Sequence, residues 1–260
     1  MNLYIINRLL GREINTHKGQ NGRVLIIAGS KDLTGAPMLA SVAALRVGAD
    51  TVTLACPDEV GRAMNCYCPD IMTIKLKGDY LKDSHYAQIM KNIKKYDAVL
   101  IGNGIGLNTS TKKLVNKIVK LNILKVIDAD AIKLINIKNI HNSILTPHKK
   151  EYQTLLKNSE LKDIKEIKNN VILLKGETDQ IITKNSTTVN KTGNPGMAKA
   201  GTGDVLAGIC VAILAKTKDL QKSAEAAAWL SGYMGDLLLK KKKGYYFIAS
   251  DLLNELENIK

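Results

Sequence analysis

The chain has 260 residues, 45% hydrophobic, 24% charged and 4% aromatic, with a formal net charge of +14. That length supports one large α/β core, so a single domain over residues 1–260 is expected, and no apolar run is long enough to span a bilayer. The charge invites a nucleic-acid surface, but only Lys240–Lys243 form a run, and one Phe and one Trp leave few stacking platforms.

Neither a membrane nor a nucleic-acid partner is therefore expected. Met1–Ile6 lacks a signal-peptide layout, so a cytoplasmic location is the default. Cys66-Tyr67-Cys68 is too tight for zinc spacing and has no second pair nearby. Cys56, Cys66, Cys68 and Cys210 are read as free thiols, and no protein metal site is expected.

In chain order, strands are predicted at Arg23–Ala28, Asp50–Ala55, Ile71–Leu76, Asp97–Ile101, Leu124–Asp128, Asn170–Leu174 and Gln180–Thr183. Helices are predicted at Pro37–Val47, Ser110–Leu121, Lys149–Lys157, Val205–Lys216, Lys222–Leu239 and Ala249–Asn258. Alternation of the two predicts a mostly parallel sheet wrapped by helices. Thr178–Val189 reads as a hairpin, which makes the sheet mixed near its end.

Ligands of open α/β sheets bind at the carboxyl ends of strands, and the distinctive loops lie there. After the first strand comes a small-residue turn, Gly29 to Pro37, with Pro37 read as a first helical residue. Gly102-Asn103-Gly104-Ile105-Gly106 follows the fourth strand; its alternating glycines mean a sharp turn or a close neighbour. Asp128 and Asp130 end the fifth strand and could hold a metal through waters or cap the next helix. His148, with Glu151 three residues on, could contact a ligand or cap its own helix. Leu174-Lys175-Gly176 puts a lysine at a strand end.

The most informative stretch runs from Asn194 to Gly208. It delivers Gly201-Thr202-Gly203-Asp204 to the start of an apolar helix, whose first turn carries unpaired N–H groups and the positive end of the helix dipole. A carboxylate beside such an anion hole suits a base that deprotonates a hydroxyl attacking phosphate; the competing reading is an N-cap aspartate.

Taken in this order, these segments resemble the ADP- or ATP-dependent NAD(P)H-hydrate dehydratase family. The matching pieces also include Lys18-Gly19, Gly22-Arg23-Val24, Thr34-Gly35-Ala36-Pro37 and Ala44 to Ala49. The resemblance implies a three-layer ribokinase-like fold with a mostly parallel central sheet flanked by helices. It implies nucleotide-dependent dehydration of hydrated NADH or NADPH (S epimer), with ADP or ATP as co-substrate, Mg²⁺, and a homo-oligomer, a tetramer.

Matched residue by residue, Ala36, Gly106, His148 and Asp204 would contact the hydrated dinucleotide. Lys175, Gly176, Glu177, Thr178, Asp179 and Gly203 would hold the nucleotide, with Asp204 as catalytic base. Two departures stand out. Lys199-Ala200 replaces the usual Thr-Gly, so that Lys199 either adds a phosphate contact or points to solvent, and Glu177-Thr178-Asp179 departs from the common loop. About 17 residues precede the first matching motif, too few for the epimerase domain fused in some members. The rival readings are a ribokinase-like kinase, such as a hydroxyethylthiazole kinase, and a basic nucleic-acid binder.

Overall fold

The computed structural model describes residues 1–162 and 169–259. In chain order its elements are α1 (Leu3–Leu10), β1 (Arg23–Ile27), α2 (Gly35–Arg46), β2 (Thr51–Pro57), α3 (Asp58–Tyr67), β3 (Met72–Leu76), α4 (Tyr86–Met90), β4 (Ala98–Ile101), α5 (Thr109–Val119) and β5 (Lys125–Ile127). There follow α6 (Ala129–Leu134), β6 (Ser143–Leu145), α7 (Lys149–Ser159), β7 (Asn170–Leu174), β8 (Asp179–Ile182), β9 (Thr187–Asn190), α8 (Thr202–Thr217), α9 (Leu220–Lys242) and α10 (Ala249–Glu255).

The nine strands form one sheet in the order β3-β2-β1-β4-β5-β6-β7-β8-β9. Strands β1 to β7 pair in parallel, and β8 and β9 add an antiparallel hairpin. The mostly parallel sheet and the hairpin were both expected. Sequence reading missed β6, a strand of three residues, and the helices α1, α3, α4 and α6. Pro37 is the third residue of α2, not the first.

Strand residues alternate between two cores because successive side chains leave opposite faces of the pleat. Val24, Ile26 and Leu100 pack under α2, α8, α9 and α10, whereas Leu25, Ile27 and Val99 pack against α5, α6 and α7. Each such fully buried side chain contributes about 1.5–3 kcal/mol. Helix α8 is the innermost: 12 of its 16 residues are buried, which explains its apolar sequence on every side. It crosses α2 so closely that a Cβ on Gly208 would lie 2.2 Å from the Ala40 carbonyl oxygen. That crossing sets the α8 N-terminus above the carboxyl ends of the strands.

Candidate active site

Gly201, at φ +92°, is the N-cap of α8, so Asp204 is the third residue of the first turn and not an N-cap. The turn is anchored by Thr202, whose hydroxyl donates to the carbonyls of Met197 (2.8 Å) and Lys199 (2.9 Å). Among the described residues, the Gly203 and Asp204 N–H groups have no hydrogen-bond partner. They are open donors at the positive end of a helix, the arrangement that binds anions.

Four strand-end loops converge on this turn. The Asn103 amide donates to Asp204 Oδ1 at 2.7 Å and to Asp128 Oδ2 at 2.9 Å. Asp128 Oδ1 accepts from the Thr146 hydroxyl at 2.7 Å and pairs with Lys175 Nζ at 3.1 Å. Lys175 Nζ also lies 3.3 Å from where a Cβ on Gly203 would stand, at the open end of α8. A cation, two backbone donors and a carboxylate therefore share one small volume.

Asp128 makes no side-chain capping bond. It stands at the N-cap position of α6, and both its oxygens accept from protein donors in other loops. Asp130 instead accepts from the Gly106 N–H (3.0 Å) and from Lys133 (2.9 Å). Among the described residues, no three His, Cys, Asp or Glu side chains cluster as a metal site.

Charge in the site is set by burial. Burial, followed by the Asp128 and Asp130 carboxylates, pushes Asp204 up to about 6, against the Asn103 hydrogen bond and Lys175. Burial works against the Lys175 ammonium, but Asp128, Glu151 and Asp204 outweigh it and hold its pKa above the ordinary value. Desolvation also raises Asp179, although the Gly176 N–H and Asn190 donate to it.

His148 is the N-cap of α7: Nδ1 accepts from the N–H groups of Lys150 (3.1 Å) and Glu151 (3.2 Å), and Glu151 accepts from the His148 N–H. The capping reading is found, and Nε2, on the other edge of the ring, lies 3.6 Å from Glu151 Oε1. Ala36 lies in the first turn of α2, its Cβ 3.4 Å from the Cβ position of Gly104, and Gly106 is fixed through Asp130. On the other side, Glu177 and Thr178 are exposed in the β7–β8 turn, and Asp179 opens β8. Lys199 is exposed, and its ammonium donates to the Tyr245 and Phe247 carbonyls, tying the loop before α8 to the one before α10. Asn103 and Thr146, quoted only as parts of longer motifs in the sequence, are the members of this network that sequence reading passed over.

Beside this hairpin lies a cavity of about 460 Å³ lined by Ile181, Thr188, Asn190, Thr192, Glu225 and Trp229, among others. Trp229 stacks on Tyr233, with ring centroids 4.7 Å apart.

A family model described as NAD(P)H-hydrate dehydratase matches residues 24–258. The chain is 43% identical to the bifunctional NAD(P)H-hydrate repair enzyme Nnr of Methanocaldococcus jannaschii, over 98% of this chain and 51% of that protein. It spans about half the length of this and the other bifunctional relatives it matches. It is 33% identical to the ADP-dependent (S)-NAD(P)H-hydrate dehydratase of Cenarchaeum symbiosum, over 95% of this chain and 91% of that one. Among solved structures, the ADP/ATP-dependent NAD(P)H-hydrate dehydratase of Bacillus subtilis, co-crystallized with ATP/Mg²⁺, superposes with a TM-score of 0.82 at 26% identity. That match covers 99% of this chain and 96% of the other. The sheet and its two helix layers are the ribokinase-like fold that the resemblance implied. By sequence, fold and the strand-end loops gathered at Asp204, this chain belongs to the NAD(P)H-hydrate dehydratase family.

Proposed function

We propose that the chain dehydrates hydrated NADH or NADPH (S epimer) at the expense of ADP or ATP, releasing AMP or ADP together with phosphate. The observation that carries this reading is the Asp204 carboxylate at the open N-terminus of α8, with Lys175 across from it. The relative named as an ADP-dependent (S)-NAD(P)H-hydrate dehydratase supports the same reaction and ADP as the nucleotide.

The chemistry follows from the charges. Asp204 takes the proton from the C6 hydroxyl of the hydrated ring as that oxygen attacks the terminal phosphorus. The Gly203 and Asp204 N–H groups and the Lys175 ammonium stabilise charge on the moving phosphoryl group. Hydroxide is a poor leaving group, whereas phosphate departs as the ring nitrogen pushes, and transfer of a C5 proton to the departing phosphate or to water restores the C5–C6 double bond. Among the described residues no three His, Cys, Asp or Glu side chains gather for a metal, so Mg²⁺ would arrive on the nucleotide phosphates and offset their charge.

The nucleotide lies along Lys175–Asp179 and Gly203, and the hydrated dinucleotide along Ala36, Gly106 and His148, with Asp204 between them. We assign the base to the cavity at Trp229: its volume suits such a ligand, and Asn190 joins it to Asp179. Trp229 is the chain's single tryptophan, so its fluorescence should change on titration with ADP; an unaltered spectrum at saturating ADP removes the base from this cavity. A cytoplasmic homo-oligomer, a tetramer, completes the reading, and sedimentation tests the assembly. Among the described residues, no helix is long and apolar enough to cross a membrane.

The test is product analysis with each hydrate and each nucleotide. Restored NADH or NADPH with equimolar phosphate supports dehydration. A phosphorylated hydrate that accumulates would instead mark a ribokinase-like kinase.

A further inference from the structure

Asn103 is fully buried on the loop after β4, and the backbone leaves it no other place. Gly102 takes φ +133°, and a Cβ there would lie 1.9 Å from the Asp128 carbonyl oxygen. The Asn103 carbonyl in turn accepts from the Gly29 N–H at 2.8 Å, tying the loop to the end of β1. One side-chain nitrogen then spans two carboxylates, 2.9 Å from Asp128 Oδ2 and 2.7 Å from Asp204 Oδ1. The flipped amide would aim its carbonyl at both carboxylates, so charge decides the orientation.

The arrangement has a cost. Asn103 Oδ1 is buried without a partner, and that orphaned acceptor is the cost of aiming the nitrogen at both carboxylates. The charged groups facing Asp204 are Asp128 and Asp130 at the end of β5 and Lys175 at the end of β7, and Asn103 is the neutral donor among them.

We propose that Asn103 is a positioning residue: its amide holds Asp204 Oδ1 and so presents Oδ2 to the substrate hydroxyl as an ionised base. This rests on the reading of Asp204 as the base. It assigns a task to a side chain whose hydrogen-bond partners are the carboxylates of Asp204 and Asp128. The amide does two things that no apolar residue of its size can do. It fixes the carboxylate rotamer, and it opposes the two neighbouring carboxylates that favour protonation.

The test is to follow the Asp204 carboxyl by ¹³C NMR of aspartate-labelled protein, identifying its signal by its loss in Asp204→Asn. In folded Asn103→Leu it should titrate about one pH unit higher than in the wild type. In Asn103→Asp, which keeps the shape and adds a third carboxylate, it should move in the same direction. With hydrated NADH, kcat at neutral pH should fall about tenfold or more, and its acid limb should rise in step, while KM for ADP changes by less than about twofold. An Asp204 titration that stays in place in both variants overturns the proposal, and so does a loss of kcat with an unmoved acid limb. The titration needs no substrate, so a wild-type protein inactive on the hydrates would sink the proposed reaction and leave this test standing.

Discussion

Asn103 and Asp204 are 101 positions apart in the chain, yet the amide of one donates to the carboxylate of the other at 2.7 Å. The contact closes a network that runs from Lys175 through Asp128 to the mouth of α8. Removing members of that network gives separable outcomes.

Asp204→Asn should lower turnover by about 10² or more while the protein still folds and binds ADP, because it removes a general base. The same variant should be more stable than the wild type at pH 7. The folded-state pKa of Asp204, about 6, lies above its ordinary 3.8, so the native carboxylate costs stability once it ionises. The gain should be about 1–3 kcal/mol at neutral pH and vanish below about pH 4, where both states are protonated. Urea unfolding at the two pH values measures it. A variant that loses stability at pH 7 would make Asp204 a structural group.

Lys175→Met should do the opposite to stability. It leaves Asp128 buried with its Asn103 and Thr146 donors but without its cation, at a cost of about 3 kcal/mol. The Lys175 pKa is raised in the folded state, so the deficit should hold throughout neutral pH and shrink only in strong alkali. KM for ADP should rise by about tenfold or more, read from initial rates. An unchanged KM would separate Lys175 from the nucleotide.

Gly208→Val tests the helix crossing that places the site. Its Cβ would lie 2.2 Å from the Ala40 carbonyl oxygen, a backbone atom that cannot turn aside. Overpacking of this kind costs about 1–3 kcal/mol, and displacement of α8 should lower turnover as well. A variant with wild-type thermal stability and rate would show that the α2–α8 contact is looser than described.

The net charge of +14 should not act as a nucleic-acid surface. Labelled RNA should bind weakly at physiological salt, whereas ADP affinity should fall only modestly across the same salt series. Fluorescence titrations compare the two. Tight RNA binding at physiological salt without ADP binding would contradict the enzyme reading.

The strands of the central sheet were legible because near-continuous apolar runs such as Val24–Ile27 and Ala98–Ile101 are what a sheet covered on both faces requires. Ser143–Leu145 was passed over because three residues show neither length nor period, and only pairing with β5 and β7 makes them a strand. Apolar length marked α8, but a helix buried all round has no polar face to show which side meets α2. The Gly-Thr-Gly-Asp turn was legible through its glycines. The Asp128 hub was not, because its partners lie 18, 25 and 47 positions away and each alone resembles an ordinary loop residue. The contacts of Lys199 were hidden for the same reason: its carbonyl partners lie 46 and 48 positions on.

The most direct test of the central claim is the near-ultraviolet absorbance of the dihydropyridine ring in a single turnover of purified protein with S-epimer hydrate, ADP and Mg²⁺. The account predicts that absorbance returns with one phosphate and one AMP per ring restored, and that Asp204→Asn slows the return by about 10² or more. Consumption of ADP with no return of absorbance, or full activity in Asp204→Asn, would contradict it.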